Sequence, residues 1–88
     1  MEQSVRMNIY YVYLLKCADD TFYCGITTDL ERRIREHNHS LLGAKYTKGR
    51  RPVVLVYSKK YKDRSDASKE ESRIKKLSRE EKNKLTIT

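Results

Sequence analysis

Apolar residues run almost unbroken from Tyr10 to Leu15, and a second apolar stretch follows from Phe22 to Ile26, with Ala18-Asp19-Asp20-Thr21 between them. Short apolar runs bounded by turn residues predict two strands joined as a β-hairpin. By the period-two rule Tyr11, Tyr13 and Leu15 share one face, and Tyr23 and Gly25 share one on the second strand. One register then sets Tyr13 beside Tyr23, next to a glycine that leaves room above the sheet. Thr28 and Glu31 have capping-box spacing and Asp29 adds negative charge to the first turn, so a helix is expected from Asp29 to His39. Leu30 and Ile34 form its inner stripe. Arg33 and His37, four apart, are neighbours on the adjoining face, which looks back toward the end of the hairpin, whereas Arg32 and Arg35 point elsewhere.

The segment from Ser40 to Pro52, with Gly43 and Gly49, has loop composition. After Pro52 the β-branched run Val53 to Tyr57 is the best strand signal in the chain and is expected to be the central or most buried strand. Asp63, Ser65 and Asp66 are capping candidates for a helix running to about Leu77, with Ala67, Glu71 and Ile74 on one stripe. Ser78 and Glu81 form another capping box, predicting a last helix from Arg79 to about Leu85 that packs Leu85 and Ile87 against the rest. Met1 to Asn8 is polar and expected to fray. With no repeat and no dividing linker, the pattern predicts one α/β domain over residues 1–88: a small three-stranded, mostly antiparallel sheet flanked by helices.

Composition narrows the function. The 88 residues carry a net charge of +8, with a pI of about 9.6, which points to a polyanionic partner, nucleic acid ahead of a membrane. The first 44 residues hold 5 Lys and Arg against 6 Asp and Glu; the last 44 hold 15 against 6. The basic surface therefore belongs to the second half. No apolar run approaches bilayer length and no leader pattern opens the sequence, so the expected location is cytoplasmic. Cys17 and Cys24 lack metal-ligand spacing and are expected to be buried free thiols.

Lys45, Lys48, Arg50 and Arg51, with Tyr46 among them, are cations and an aromatic suited to following a sugar-phosphate chain; a solvated basic loop explains them equally. Lys75 and Lys76 extend the candidate nucleic-acid-binding set. Glu71 is a carboxylate on the stripe that faces the sheet, for which an i,i+4 pair with Lys75 at the rim of the core is the simpler explanation. Taken one at a time, Tyr13 and Tyr23 are ordinary strand tyrosines, Arg33 is a partner for Glu36 or Asp29, and His37 is a structural or solvated histidine.

Their order and spacing change that reading. Tyr11-Val12-Tyr13 and Tyr23-Cys24-Gly25, followed by Arg33 in a helix and Glu71 in a later one, resemble the GIY-YIG nuclease family. Gly43-Ala44-Lys45-Tyr46-Thr47, Arg50-Arg51-Pro52-Val53 and Ile74-Lys75-Lys76-Leu77-Ser78 are similar to its short, single-domain bacterial branch. The resemblance extends from about Asn8 to about Leu85. Tyr11 stands where the family has its leading glycine, and Cys24 where it has isoleucine.

The resemblance implies metal-dependent phosphodiester hydrolysis on DNA, or on nucleic acid more broadly. It gives Glu71 the role of holding one Mg2+ or Mn2+ on the scissile phosphate, and Arg33 that of donating to the phosphate. Tyr13 would be general base on water, its pKa lowered by the metal and the arginine, with Tyr23 orienting or sharing the task and His37 assisting proton transfer. Two other classes fit the same sequence: a basic nucleic-acid-binding module with negligible catalysis, and a protein-interaction domain that pairs with a repair or recombination factor through the edge of its sheet.

Overall fold

The computed structural model describes residues 9–86. Strand β1 (Tyr10–Lys16) turns back into β2 (Phe22–Thr27), helix α1 (Leu30–His39) follows, and a one-turn helix α2 (Lys45–Lys48) leads to β3 (Val54–Tyr61). Helices α3 (Arg64–Lys75) and α4 (Arg79–Leu85) complete the chain. The sheet order is β2-β1-β3 with both pairings antiparallel, as the apolar pattern predicts. The expectations for Met1 to Asn8 and for Ile87 lie outside the described residues.

Two apolar layers sandwich the sheet because β1 is buried on both faces. Val12 and Leu14 point into a cluster with Cys24, Ala67 and Ile74, against which Leu85 packs. Tyr13 and Leu15 point the other way, into a cluster with Cys17 and Val53 that Leu30 and Ile34 cover. Thus α3 and α4 close one face and α1 the other. The central strand is β1, which corrects the expectation for the Val53 run: β3 lies at an edge, and its Val54 is 59% exposed. A continuous apolar run marks a strand covered on both sides, and two such runs compete here. The winner is the strand that has helices above and below it.

Three local expectations change in detail. Asp29, not Thr28, caps α1, accepting a hydrogen bond from the Arg32 backbone N–H, so Thr28 and Glu31 form no capping box. The segment after Ser40 is not all loop, since Lys45–Lys48 makes a helical turn. The hairpin register sets Tyr13 opposite Gly25 and Tyr23 opposite Leu15, so the two tyrosines meet on a diagonal rather than side by side. Their ring centroids are 6.4 Å apart, within diagonal reach of aromatic side chains. The Ser78–Glu81 capping box of α4 is formed as read from the sequence.

The hairpin turn is held from within and from a distance. Asp20 takes a left-handed conformation at φ 67°, Asp19 accepts from the Thr21 backbone N–H and hydroxyl, and the Ala18 N–H donates to the Arg50 carbonyl. Cys17 and Cys24 are buried free thiols.

Gly25 carries the closest constraint in the sheet. The Tyr13 phenol lies over it, and a Cβ at this position would stand 2.7 Å from the ring carbon Cζ and closer still to the hydroxyl. Replacing a strand glycine by alanine ordinarily helps, because it removes freedom from the unfolded chain. Here Gly25→Ala is expected to destabilise the fold by about 1–3 kcal/mol through overpacking. Urea unfolding measures this, and a stability equal to or above wild type would contradict the contact.

Candidate active site

The Tyr13 hydroxyl, on a side chain only 1% exposed, needs a partner, and α1 supplies it. His37, fully buried, places Nε2 at 2.8 Å from the Tyr13 oxygen and Nδ1 at 2.9 Å from Thr47 Oγ1. Thr47 Oγ1 also lies 2.9 Å from the Ala44 carbonyl. Phenol, imidazole and hydroxyl thus form a continuous chain from the sheet, through α1, to α2. Its anchor is the close approach of the 40–44 segment to α1. There a Cβ on Gly43 would stand 2.6 Å from the Glu36 carbonyl oxygen.

Tyr23 borders the same group, its ring centroid 5.1 Å from that of His37 and 6.0 Å from that of Tyr46, with which it stacks. The Arg50 guanidinium sits 3.9 Å over the Tyr46 ring centre. Arg33, a turn before His37 on α1, donates through Nη1 to Glu36 Oε1 and to the Leu42 carbonyl, both at 2.8 Å. Four of the five expected catalytic residues, Tyr13, Tyr23, Arg33 and His37, are therefore brought together on one face.

Glu71 belongs to the other face. It projects from α3, whose Ala67 and Ile74 are buried beside Val12, Leu14 and Cys24. Its carboxylate pairs with Lys75 at 3.2 Å, the contact that the spacing suggested. It is near enough to the Cys24 thiol to help burial push that thiol up to about 11. On β2, then, adjacent residues serve opposite faces: Cys24 lies toward Glu71 and Gly25 lies under Tyr13.

The electrostatics are set by burial. It pushes the Tyr13 pKa up to about 12, and Arg33, which acts to lower it, does not prevail. The expected lowering invoked a bound metal together with Arg33, and Arg33 alone does not produce it. Burial, then the positive charge of Arg33, pulls His37 down to about 4, with Glu36 opposing and Arg51 adding to the shift. At neutral pH both groups are uncharged, so a proton can be passed between them without a buried ion to begin with.

The basic candidates divide in two. Arg51 donates through Nε to the His37 carbonyl and through Nη2 to the Glu36 and Ser40 carbonyls, satisfying the C-terminal end of α1. Arg50 pairs with Asp19 at 3.0 Å and donates to the Tyr46 carbonyl, tying the hairpin turn to α2. Lys75 is the partner of Glu71. Lys45, Lys48 and Lys76 are exposed. Sequence reasoning passed over Thr47, a hydroxyl residue in a basic stretch with no periodicity to flag it. It also passed over Asn38, whose amide exchanges hydrogen bonds with both backbone groups of Val53.

The hairpin lays one tyrosine over a glycine and a second beside it, and the next helix delivers an arginine and a histidine to them. The chain belongs to the GIY-YIG family: the model of the GIY-YIG catalytic domain matches residues 9–85. A UPF0213 protein of Desulfotalea psychrophila is 58% identical over 69 residues; the match covers 78% of this chain and 63% of that relative's length. One from Natronomonas pharaonis is 50% identical over 76 residues, covering 86% and 88%. The solution NMR structure of a UPF0213 protein from Bacillus halodurans is 44% identical, with a TM-score of 0.55 over 88% of this chain and 81% of that one. An NMR structure of an E. faecalis protein is 42% identical, with a TM-score of 0.60 over 96% and 85%. Among the described residues, no helix is long and apolar enough to cross a membrane.

The buried histidine has a thermodynamic signature. Its folded pKa of about 4 lies below the unfolded value of 6.5, so unfolding takes up a proton between these values. Stability therefore rises with pH across that window and is lost as pH falls through it, with a slope of up to about 1.4 kcal/mol per pH unit. Urea unfolding of wild type and His37→Gln between pH 4.5 and 7 tests this: the variant should show a flatter dependence. Equal slopes would mean that His37 is not held neutral.

Proposed function

We propose that the protein is a metal-dependent nuclease domain that hydrolyses phosphodiester bonds in nucleic acid, with DNA as its first candidate substrate. The observation that carries this reading is the buried hydrogen bond from Tyr13 to His37, set beside Arg33 and Tyr23 at the β2 side of the sheet.

Hydrolysis of a phosphodiester needs a proton taken from water, charge stabilised on the phosphoryl oxygens, and help for the leaving oxygen. A tyrosine with a pKa of about 12 is seldom a phenolate at neutral pH. The relay removes that obstacle. As water attacks, its proton passes to the Tyr13 oxygen while the Tyr13 proton passes to His37 Nε2. The Arg33 guanidinium, which disfavours an imidazolium at His37, is offset when a phosphate lies against it, so substrate itself raises the basicity of the relay. Tyr23 borders His37 and would orient the water or the phosphate.

Glu71 fits a hard cation that keeps most of its waters. It is 24% exposed and its partner Lys75 is a solvent-exposed cation that a metal can displace. Among the described residues, no group of three or more His, Cys, Asp or Glu converges as a cage, so Glu71 would be the principal protein ligand. A bound Mg2+ or Mn2+ supplies Lewis-acid charge to the phosphoryl oxygens. β2 is an edge strand, with Tyr23 toward the Tyr13 face and Cys24 toward the Glu71 face, and on this reading substrate and metal approach along that edge.

Lys45, Lys48 and Lys76 are the cations proposed to follow the flanking phosphates. Arg50 and Arg51 act first as structure and would contribute field rather than direct grip, and Tyr46 is engaged by Arg50 and Tyr23.

With Mg2+ or Mn2+, wild type is expected to cut labelled DNA, and EDTA to stop it. Tyr13→Phe should lower turnover by about 10²–10⁴-fold, with Arg33→Ala and Glu71→Gln also severely impaired and all three folded by circular dichroism. Metal-dependent cutting by Glu71→Gln at the wild-type rate would remove Glu71 from the site. No cutting of single-stranded, duplex or branched DNA or of RNA, with salt-sensitive binding retained, would replace this reading by the binding module.

Neutralising Lys45 and Lys48 together should reduce the salt slope of binding by about 2, roughly one per phosphate contact. Filter binding between 50 and 200 mM salt (about the range in which such contacts are resolved) measures it. An unchanged slope would place the phosphate path elsewhere.

A further inference from the structure

The relay proposed above works in one direction only: Tyr13 must donate to His37, which requires Nε2 to carry a lone pair and Nδ1 to carry the proton. The surroundings of Nδ1 decide this. Thr47 Oγ1 lies 2.9 Å from Nδ1 and 2.9 Å from the Ala44 carbonyl oxygen. The hydroxyl has one proton, and the carbonyl can only accept. If that proton pointed at Nδ1, two oxygens would face each other at 2.9 Å with no proton between them. It therefore goes to the carbonyl, and the lone pair of Oγ1 is left to receive a proton from Nδ1. The competing donor, the Ala44 N–H, is 3.4 Å from Nδ1, at the limit of a hydrogen bond. The hydroxyls of Tyr13 and Thr47 can each donate or accept toward the ring, so the 2.9 Å contact of Thr47 Oγ1 with the Ala44 carbonyl decides for Nδ1–H, against the longer 3.4 Å contact from the Ala44 N–H.

We propose that Thr47 is a positioning residue for the reaction: held by the Ala44 carbonyl, its oxygen accepts the Nδ1–H of His37, fixes that tautomer, and so presents Nε2 to the Tyr13 hydroxyl. This rests on the nuclease reading for its catalytic consequence but not for its structural one. Thr47 is fully buried, so water does not substitute for its oxygen. The loop geometry serves the same end. Arg51 ties the last carbonyls of α1, and Gly43 lets the 40–44 segment pass against Glu36 and His37, which brings α2 to the far side of the imidazole. Thr47→Val keeps the shape and removes the acceptor. Among the described residues the Ala44 N–H is then left to bond Nδ1, the ring proton moves to Nε2, and His37 donates to the Tyr13 oxygen instead of accepting from it.

The test is the tautomer itself, read from the ring ¹⁵N shifts of His37 in ¹⁵N-histidine-labelled protein at pH 7, for wild type, Thr47→Ser and Thr47→Val. The expected result is an Nδ1–H imidazole in wild type and in Thr47→Ser, and an Nε2–H imidazole in Thr47→Val. An Nε2–H imidazole in wild type overturns the proposal whether or not the valine variant folds, and so does an Nδ1–H imidazole in a folded Thr47→Val. In the cleavage assay Thr47→Val should lose turnover by about 10²–10⁴-fold, as a wrong-tautomer histidine does, with KM little changed and Thr47→Ser restoring most of it. A tautomer switch in a protein that cuts nothing, wild type included, would sustain the role of Thr47 and refute the nuclease reading alone.

Discussion

A phenol hydroxyl taken out of water must find a partner, and the arrangement of this small domain follows from how Tyr13 meets that demand. β1 is buried on both faces, and its tyrosine is only 1% exposed. Gly25 opposite gives the ring a place to lie, and His37 gives the oxygen its bond. The histidine is in turn committed on its second nitrogen to Thr47, which holds α2 against α1. Asn38, Arg50 and Arg51 then fasten the segment that carries α2 to α1 and to the hairpin turn. A chain of buried polar groups of this kind is stable only when every member is satisfied, which makes the site and the scaffold one object.

The same burial fixes the chemistry. It makes tyrosine a weaker acid and histidine a weaker base, and on those grounds alone it would silence both. On the proposed function, coupling the two would turn the handicap into a proton path, because the pair need hold no charge until substrate arrives. Arg33 sets the charge balance of the pair. Its charge disfavours a protonated His37 in the free protein and would be neutralised by a phosphate, so on the proposed function a phosphate substrate would also prepare the relay. The buried thiols lie outside this scheme, since burial raises both Cys17 and Cys24 above the ordinary cysteine range.

What could be read in the chain was what depends on neighbours in sequence. The hairpin, the Ser78–Glu81 cap, the stripe of Ala67 and Ile74 and the pairing of Arg33 with His37 on one helical face all follow from spacings of two, three or four residues. The choice of central strand did not, because Tyr10–Leu15 and Val53–Tyr57 are equally apolar and only the helices packed above and below distinguish them. The roles of Arg50 and Arg51 were also hidden. A cation in a glycine-flanked stretch looks the same whether it will meet a phosphate or the carbonyls at the end of a helix two turns away in space. Thr47 lay within a segment that resembles the family but carried no role there, since its partner is ten residues back and its burial is a property of the assembled fold. The position of Glu71 on the α3 side of the sheet, opposite the tyrosines, is the point at which the family pattern and the local geometry meet least directly.

That point supplies the decisive measurement. On the proposed function, a phosphate on the β2 edge engages the Tyr13, Tyr23 and Arg33 cluster on one face and, with its metal, Glu71 on the other. Amide shifts recorded as a nuclease-resistant phosphorothioate duplex is added with Mg2+ should move residues around Tyr23 and Gly25, around Arg33, and around Glu71 together, at one common affinity. Shifts confined to Lys45–Arg51 and the last helix, with Tyr23, Arg33 and Glu71 unmoved, would contradict it.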